Sequence, residues 1–399
     1  MNLSKMNFDI SEEQAMILEQ VDRACKEFRP VEDKCYLDRR INDQVKPFFA
    51  KAHLLGLPVS RKYGDGQGAD MVTYALTVER IGREGTGLRT FFSVHTALGQ
   101  MTIQRWGTEE QKARFLPPAT RGDSIFAFGQ TEPGAGRDPE ALTTYFEEKG
   151  GKYYLTGQKM LTPLGSTATH ILVFACPKGK REGMCSFVMD TSTPGFKAEI
   201  APHRLGLPTV DISTVYLDKA EVSKDDLLGP PGKGMSIALS GLTDGRLSAA
   251  AGCVGVMQDC LDEAVMYAGV RVQHGKLIGK HQLIQRHIAM MSMNLDAAKL
   301  LLLKAALTRQ EYEENPGSTE LREATGVAVM KAKYFATNAA FDASNRAVQV
   351  FGANGYSLEN RPARHLADSR MTTIYEGANE ILERNMALGS SGEGSEASS

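Results

Sequence analysis

Two long blocks of helical periodicity flank a block of short β-type runs, and that order restricts the folds open to the chain more than any other feature of the sequence. The first block holds apolar stripes over Gln14 to Phe28, Gln44 to Leu54, Met71 to Arg83, Leu88 to Trp106 and Glu109 to Phe115. It is broken at Gly56-Leu-Pro58 and at the glycine-rich Tyr63 to Gly68. Its start is marked by a capping box, in which Ser11 accepts from the amide of Gln14 while that side chain reaches back. From Ser124 the texture becomes Tyr153-Tyr-Leu, His170 to Phe174, Ser186 to Met189 and Thr214 to Leu217, punctuated by Gly, Pro and Lys and ending near Pro230-Pro-Gly232. Helical periodicity returns over 234–315, 318–351 and 374–388, with the broad stripes of bundle helices. The expected class is α+β: an N-terminal helical domain over 1–123, a β-barrel or sandwich over 124–232, and a C-terminal four-helix bundle over 233–388. The last residues, 389–399, are Gly, Ser and Glu with little to bury, and are expected to form a disordered tail.

Composition narrows the partners. With 399 residues, 42% of them hydrophobic, the chain can bury a large core, and a formal charge of -2 supplies no net field for nucleic acid or an anionic membrane. Six cysteines at 25, 35, 176, 185, 253 and 260 make no CxxC pair, which points to reduced thiols in a cytosol-like compartment. There is no apolar leader, no Arg-rich transit composition and no long apolar run, so a bacterial or archaeal cytoplasmic protein is expected ahead of a mitochondrial matrix one. The eight histidines lack the spacing of a metal site, and none is expected.

Chemistry concentrates near the end: Gln349-Val-Phe-Gly-Ala-Asn-Gly-Tyr356, Arg364-His-Leu-Ala-Asp368, and Arg370-Met-Thr-Thr-Ile-Tyr-Glu-Gly377. Gly352 and Gly355 permit positive φ and close approach to a ligand, and Glu376, between an aromatic ring and a glycine, is placed where a partly desolvated carboxylate could work. Residue by residue, an ordinary turn with a solvated acid would account for each of these. Together, Gln349, Gly352, Gly355, Tyr356, Glu359, Arg364 and Asp368 resemble a signature of the acyl-CoA dehydrogenase family, and Ile374-Tyr-Glu-Gly377 resembles its catalytic loop. The resemblance extends from residue 8 to about residue 388.

The resemblance implies FAD-dependent α,β-dehydrogenation of an acyl-CoA thioester, with Glu376 taking the α-proton, FAD N5 taking the β-hydride, and an electron-transfer flavoprotein reoxidising the flavin. It implies that Gly129-Gln-Thr-Glu-Pro-Gly-Ala-Gly-Arg-Asp138 meets the flavin pyrimidine edge, with Thr131 the principal contact and Phe128 and Gln130 beside it. Gln130 and Arg137 depart from the usual aliphatic and small hydroxyl residues there. Leu161, Thr162 and Pro163 fall on the flavin-facing strand, where Leu161 replaces a flavin-covering Trp and Pro163 a hydrogen-bonding Thr. Arg271, His274 and Gln282 resemble the group that meets the FAD of a neighbouring subunit. Gln349, Gly352, Ala353, Gly377, Ala378 and Glu380 complete the cofactor set, and a homotetramer built as a dimer of dimers follows. Substrate contacts are expected from Arg89, Arg137, Arg246, Tyr375 and Glu376. In the isovaleryl and long-chain branches the base comes from the position of Gly245, so a glycine there leaves Glu376 as the base.

Arg89 falls where glutaryl-CoA dehydrogenases bind a distal carboxylate, whereas a structural arginine would need a protein acid, for which Glu84 is the nearby candidate. Three other readings share parts of this pattern. A relative acting on a carrier-protein thioester would have the same residues with a different entrance surface. An oxidase is disfavoured by length and by a Glu base. A non-catalytic flavin- or DNA-binding member would need an added basic domain.

Overall fold

The computed structural model describes residues 9–136 and 141–391. Helix α1 (Glu12–Leu37) opens on the expected capping box. It runs well past Phe28, straight through Pro30. Proline removes one helical hydrogen bond, and the turns beyond it are held by tertiary contacts: Glu32 to Asn42 and Thr209, Asp33 to Arg361 and Arg364, and Tyr36 to Asp368. Helix α2 (Val45–Lys51) is shorter than its apolar stripe, and α3 (Met71–Glu84) follows.

The stretch from Leu88 to Trp106 is three segments: α4 (Thr86–Ser93), a π-helical turn over Val94–Gln100, and α5 (Met101–Trp106). The wide turn carries His95, whose imidazole is held down to about 4 by burial and therefore stays neutral. Its Nδ1 accepts from the amide of Phe126, tying the helical layer to the first strand. Helix α6 (Glu109–Arg121) continues through Pro117 and Pro118 to Gly122, whose φ of 84° ends it.

The β layer contains β1 (Phe126–Gly129), β2 (Tyr145–Lys149), β3 (Lys152–Pro163), β4 (His170–Pro177), β5 (Cys185–Asp190), β6 (Phe196–Ile200), β7 (Ile212–Ser223) and β8 (Leu227–Leu228). Their order is β6-β7-β3-β2-β4-β5-β8, with β1 pairing parallel to β4. β3 slips register against β7 between Lys159 and Thr162. That irregularity puts Leu161 at φ 51° and leaves it 44% exposed while Thr162 turns inward.

Three long helices form the second helical layer: α7 (Gly234–Val270), α8 (Gln282–Glu314) and α9 (Thr319–Phe351). A small hairpin of β9 (Val272–Gln273) and β10 (Lys276–Leu277) separates α7 from α8. Helix α10 (Arg361–Thr372), a loop over 373–378 and α11 (Asn379–Ser391) close the chain. The tail expected from residue 389 thus begins as the last turn of α11, and residues 392–399 lie outside the described residues.

α7 is buried on most sides, and its small residues let neighbours approach closely. A Cβ on Gly252 would stand 2.7 Å from Cγ of Arg89, and one on Gly255 2.0 Å from the carbonyl oxygen of Glu79. Helix α3 crosses so near that a Cβ on Gly82 would meet Gly252 Cα at 2.5 Å. One buried charge cluster holds α1, α7 and α10 together: Asp259 receives Arg29 at 2.9 Å, Arg361 at 2.6 Å and His365 at 2.8 Å.

Candidate active site

Two turns of α7 organise the site. Gly241 and Gly245 lie one helical turn apart on one face. The edge of the Phe128 ring, from β1, sits 3.4 Å from where a Cβ on Gly241 would be, and the Glu376 carboxylate lies over Gly245. The end of β1 and the loop after α10 therefore meet on a single glycine-lined face.

Glu376 adopts φ 56° and Gly377 φ 93°. A left-handed glutamate costs about 1–2 kcal/mol, and such strain persists where surrounding contacts over-determine it. Those contacts come from two cations. Arg246 Nε donates to the Glu376 carbonyl at 2.8 Å, and Lys333 Nζ donates to the Gly377 carbonyl at 2.9 Å. Among the described residues none donates to the buried Oε2 of the Glu376 carboxylate. Burial pushes its pKa up from the ordinary glutamate value, partly countered by the charges of Arg246, Arg89 and Lys333. A half-buried carboxylate with one oxygen enclosed and its pKa raised is suited to accept a proton from carbon.

Tyr375 borders the same space, and its hydroxyl accepts from the Arg89 guanidinium, which also lies 5.0 Å from the ring centroid. Arg89 is 3% exposed, and burial lowers its pKa. Glu84 is not its partner: that carboxylate pairs with Arg29 instead, because α3 turns Glu84 toward α1. Among the described residues no carboxylate contacts Arg89. Arg246, expected at substrate, uses its Nε on the Glu376 carbonyl.

The expected cofactor residues fall in three places. Phe128, Gln130 and Thr131 continue from β1, and the Thr131 carbonyl accepts from Met160 N at 2.8 Å, which joins that turn to the Leu161–Pro163 irregularity. Thr162 Oγ1 is buried there without a protein partner, as a hydroxyl awaiting a ligand acceptor or donor would be. Gly377, Ala378 and Glu380 lie around the loop and the first turn of α11, with Glu380 exposed. Arg271, His274 and Gln282, on the hairpin and the start of α8, are exposed, as are Gln349, Gly352 and Ala353. These two sets share one end of the bundle: Tyr267, in the last turn of α7, stacks on Phe351 with centroids 4.2 Å apart and accepts from Asn354 at 2.9 Å. Gly352 has φ 61°, as expected. Gly355 does not have positive φ; it is glycine because a Cβ would stand 2.4 Å from the Val348 carbonyl oxygen. An orphan hydroxyl on the β face and an uncommitted guanidinium at the exposed end fit a flavin dinucleotide, whose ring and phosphates need those groups. Arg137 lies outside the described residues.

Sequence reasoning missed Lys333 and Asn379. The signal was present as a lone lysine on the stripe Ala328, Ala332, Ala336, Ala340, Ala343, where a cation is buried only with a purpose.

Comparison with known proteins places the chain. Family models described as acyl-CoA dehydrogenase N-terminal, middle and C-terminal domains match residues 11–123, 127–220 and 232–390. An acyl-CoA dehydrogenase of Bacillus subtilis (strain 168) is 36% identical over 375 residues, covering 93% of this chain and 96% of the relative. Among solved structures, butyryl-CoA dehydrogenase from Megasphaera elsdenii superposes with a TM-score of 0.89 at 31% identity, covering 96% of this chain and 99% of that one. A glutaryl-coenzyme A dehydrogenase in complex with glutaryl-CoA gives 0.90 at 31%, covering 97% of each. With three domain matches end to end and that fold, the chain belongs to the acyl-CoA dehydrogenase family of FAD-dependent oxidoreductases.

Proposed function

We propose that the protein removes the α-proton and β-hydride of an acyl-CoA thioester, with Glu376 as the base. The observation that carries this reading is the enclosed, partnerless Oε2 of Glu376 over Gly245. FAD supplies the hydride acceptor. Glu376 takes the proton on its raised-pKa carboxylate, while its backbone N–H, which donates to no acceptor among the described residues, is free to polarise the thioester carbonyl and stabilise the developing enolate. Arg246 and Lys333 hold the two carbonyls of the loop so that the base does not reorganise during the step. Exposed Arg271, Gln282 and Gln349 support an FAD completed by a second subunit, and hence a homo-oligomer; the family reading adds a tetrameric assembly and an electron-transfer flavoprotein as the acceptor of the two electrons.

The test is anaerobic titration of the FAD-loaded protein with a panel of acyl-CoAs. Bleaching of the flavin absorbance is expected in the wild type, and a loss of several orders of magnitude in its rate with FAD still bound in Glu376→Gln. Near-normal bleaching in that variant would remove Glu376 from the role.

Arg89 favours a second, narrower reading within the same chemistry. A guanidinium buried beside the loop with a tyrosine hydroxyl as partner, and no carboxylate in contact among the described residues, suits a substrate that brings its own distal carboxylate. On this reading a dicarboxylic acyl-CoA reduces the flavin much faster than the monocarboxylic acyl-CoA of equal length, and Arg89→Met erases the difference. Equal rates in the wild type would return Arg89 to holding Tyr375, with a short or medium acyl chain as substrate.

A further inference from the structure

Lys333 lies midway along α9, among the alanines that pack against α7, and its side chain is fully buried. Burying an ammonium is costly unless it is paired. Among the described residues no carboxylate lies in contact with it. Its Nζ donates instead to the Gly377 carbonyl at 2.9 Å and to Asn379 Oδ1 at 2.8 Å. Asn379 is fixed in turn: its side-chain amide donates to Thr337 Oγ1 at 3.1 Å and Asn338 Oδ1 at 3.2 Å, and its backbone N–H closes the loop onto the Thr373 carbonyl at 3.1 Å. The carbonyls of residues 376 and 377 are thus gripped by cations from two different helices, Arg246 on α7 and Lys333 on α9. Glu376 has a left-handed backbone, strained for a residue with a side chain, which would relax if either grip were lost.

We propose that Lys333 is a positioning residue for the base, setting both the geometry of the Glu376 loop and the electrostatic field at its carboxylate. This rests on the reading of Glu376 given above. The charged groups that act on Glu376 are Arg246 from α7, Arg89 from α4 and Lys333 from α9. The titratable groups that face Lys333 are the Cys253 thiol and Arg246 from α7, Glu376 itself, and Glu380 at the start of α11. Burial lowers the Lys333 ammonium to about 8, so it carries its charge at neutral pH. That charge opposes the burial that raises Glu376, and so keeps the base ionised to lower pH. A lysine that only bridged α9 to α11 would contribute stability and leave the pH dependence of the chemical step alone.

The experiment measures the rate of flavin reduction by saturating acyl-CoA from about pH 5.5 to about pH 9 by stopped flow. It compares FAD-loaded wild type, Lys333→Met, Lys333→Arg, Lys333→Gln and Glu376→Gln, with a melting temperature for each. The base must be ionised to accept the proton, and removing a nearby cation raises its pKa. Lys333→Met should therefore move the acid limb up by about one pH unit and lower the limiting rate about tenfold, while Lys333→Arg restores the limb. Should the methionine variant fail to fold, Lys333→Gln keeps a donor for the Gly377 carbonyl without the charge and should move the limb with a smaller loss of limiting rate. If the wild type bleaches, Glu376→Gln is inert, and the folded neutral variants show an unmoved limb, Lys333 has no such role and the function stands. A wild type inert to every acyl-CoA overturns the proposed function and this inference with it.

Discussion

The Glu376 carboxylate fills the space that a side chain at position 245 would need: a Cβ on Gly245 would stand 2.5 Å from Oε2 and 2.7 Å from Cδ. A base on the loop and a side chain on this turn of α7 are mutually exclusive in this arrangement. Gly245→Ala should push the carboxylate out of register. The rate of flavin reduction should fall on the order of a hundredfold, because misplacing a reacting group by about 1 Å costs that much. FAD content and melting temperature should change little, and an unchanged rate would show that the loop yields without penalty.

Asp259 accepts from Arg29, Arg361 and His365, and these charges hold its carboxyl far below the usual carboxylate range. Asp259→Leu leaves two guanidinium groups short of their counter-ion inside the junction of α1, α7 and α10. The expected loss is about 3–5 kcal/mol in denaturant unfolding. A shift under about 1 kcal/mol would mean that Asp33 and Glu84 take over the pairing.

Asp368 should make stability pH-dependent. Burial pushes its carboxyl up to about 7, against the opposing hydrogen bonds from the Leu207 amide and the Tyr36 hydroxyl. A pKa raised on folding contributes stability that is complete below the unfolded value and is lost as pH rises through the folded one. The melting temperature should therefore decline between about pH 4 and about pH 8, and Asp368→Asn, which keeps the accepting oxygen, should flatten that decline. Equal slopes in the two proteins would assign the dependence to other groups.

Arg271→Ala tests the exposed end of the bundle. If its guanidinium serves an FAD shared between subunits, FAD retention and oligomer size should fall together, read by absorbance and sedimentation on the same sample. Wild-type protein sedimenting with FAD as a 43.5 kDa monomer would end the shared-site reading.

The order of helical, β and helical blocks was legible in the chain, because amphipathic periods report directly which face of each element is buried. The Ser11 capping box was legible for a similar reason: it is a contact among four consecutive residues. Glu376 was legible as the candidate base, through the spacing of its motif and the glycine at 245. Contacts between distant segments were not. Pro30, Pro117 and Pro118 signal helix ends locally, yet α1 and α6 continue through them because contacts with distant segments hold the turns beyond. Glu84 looked available to Arg89 from five residues away, but α3 and α4 face it in different directions and give it to Arg29. Lys333 lies 43 residues before Glu376 in sequence, and only the packing of α9 on α7 brings its ammonium to the carbonyl after the base. Local propensity and spacing singled out Glu376 as the candidate. Its left-handed backbone, its enclosed Oε2 and the cations that hold its loop are properties of long-range packing, which no window of sequence contains.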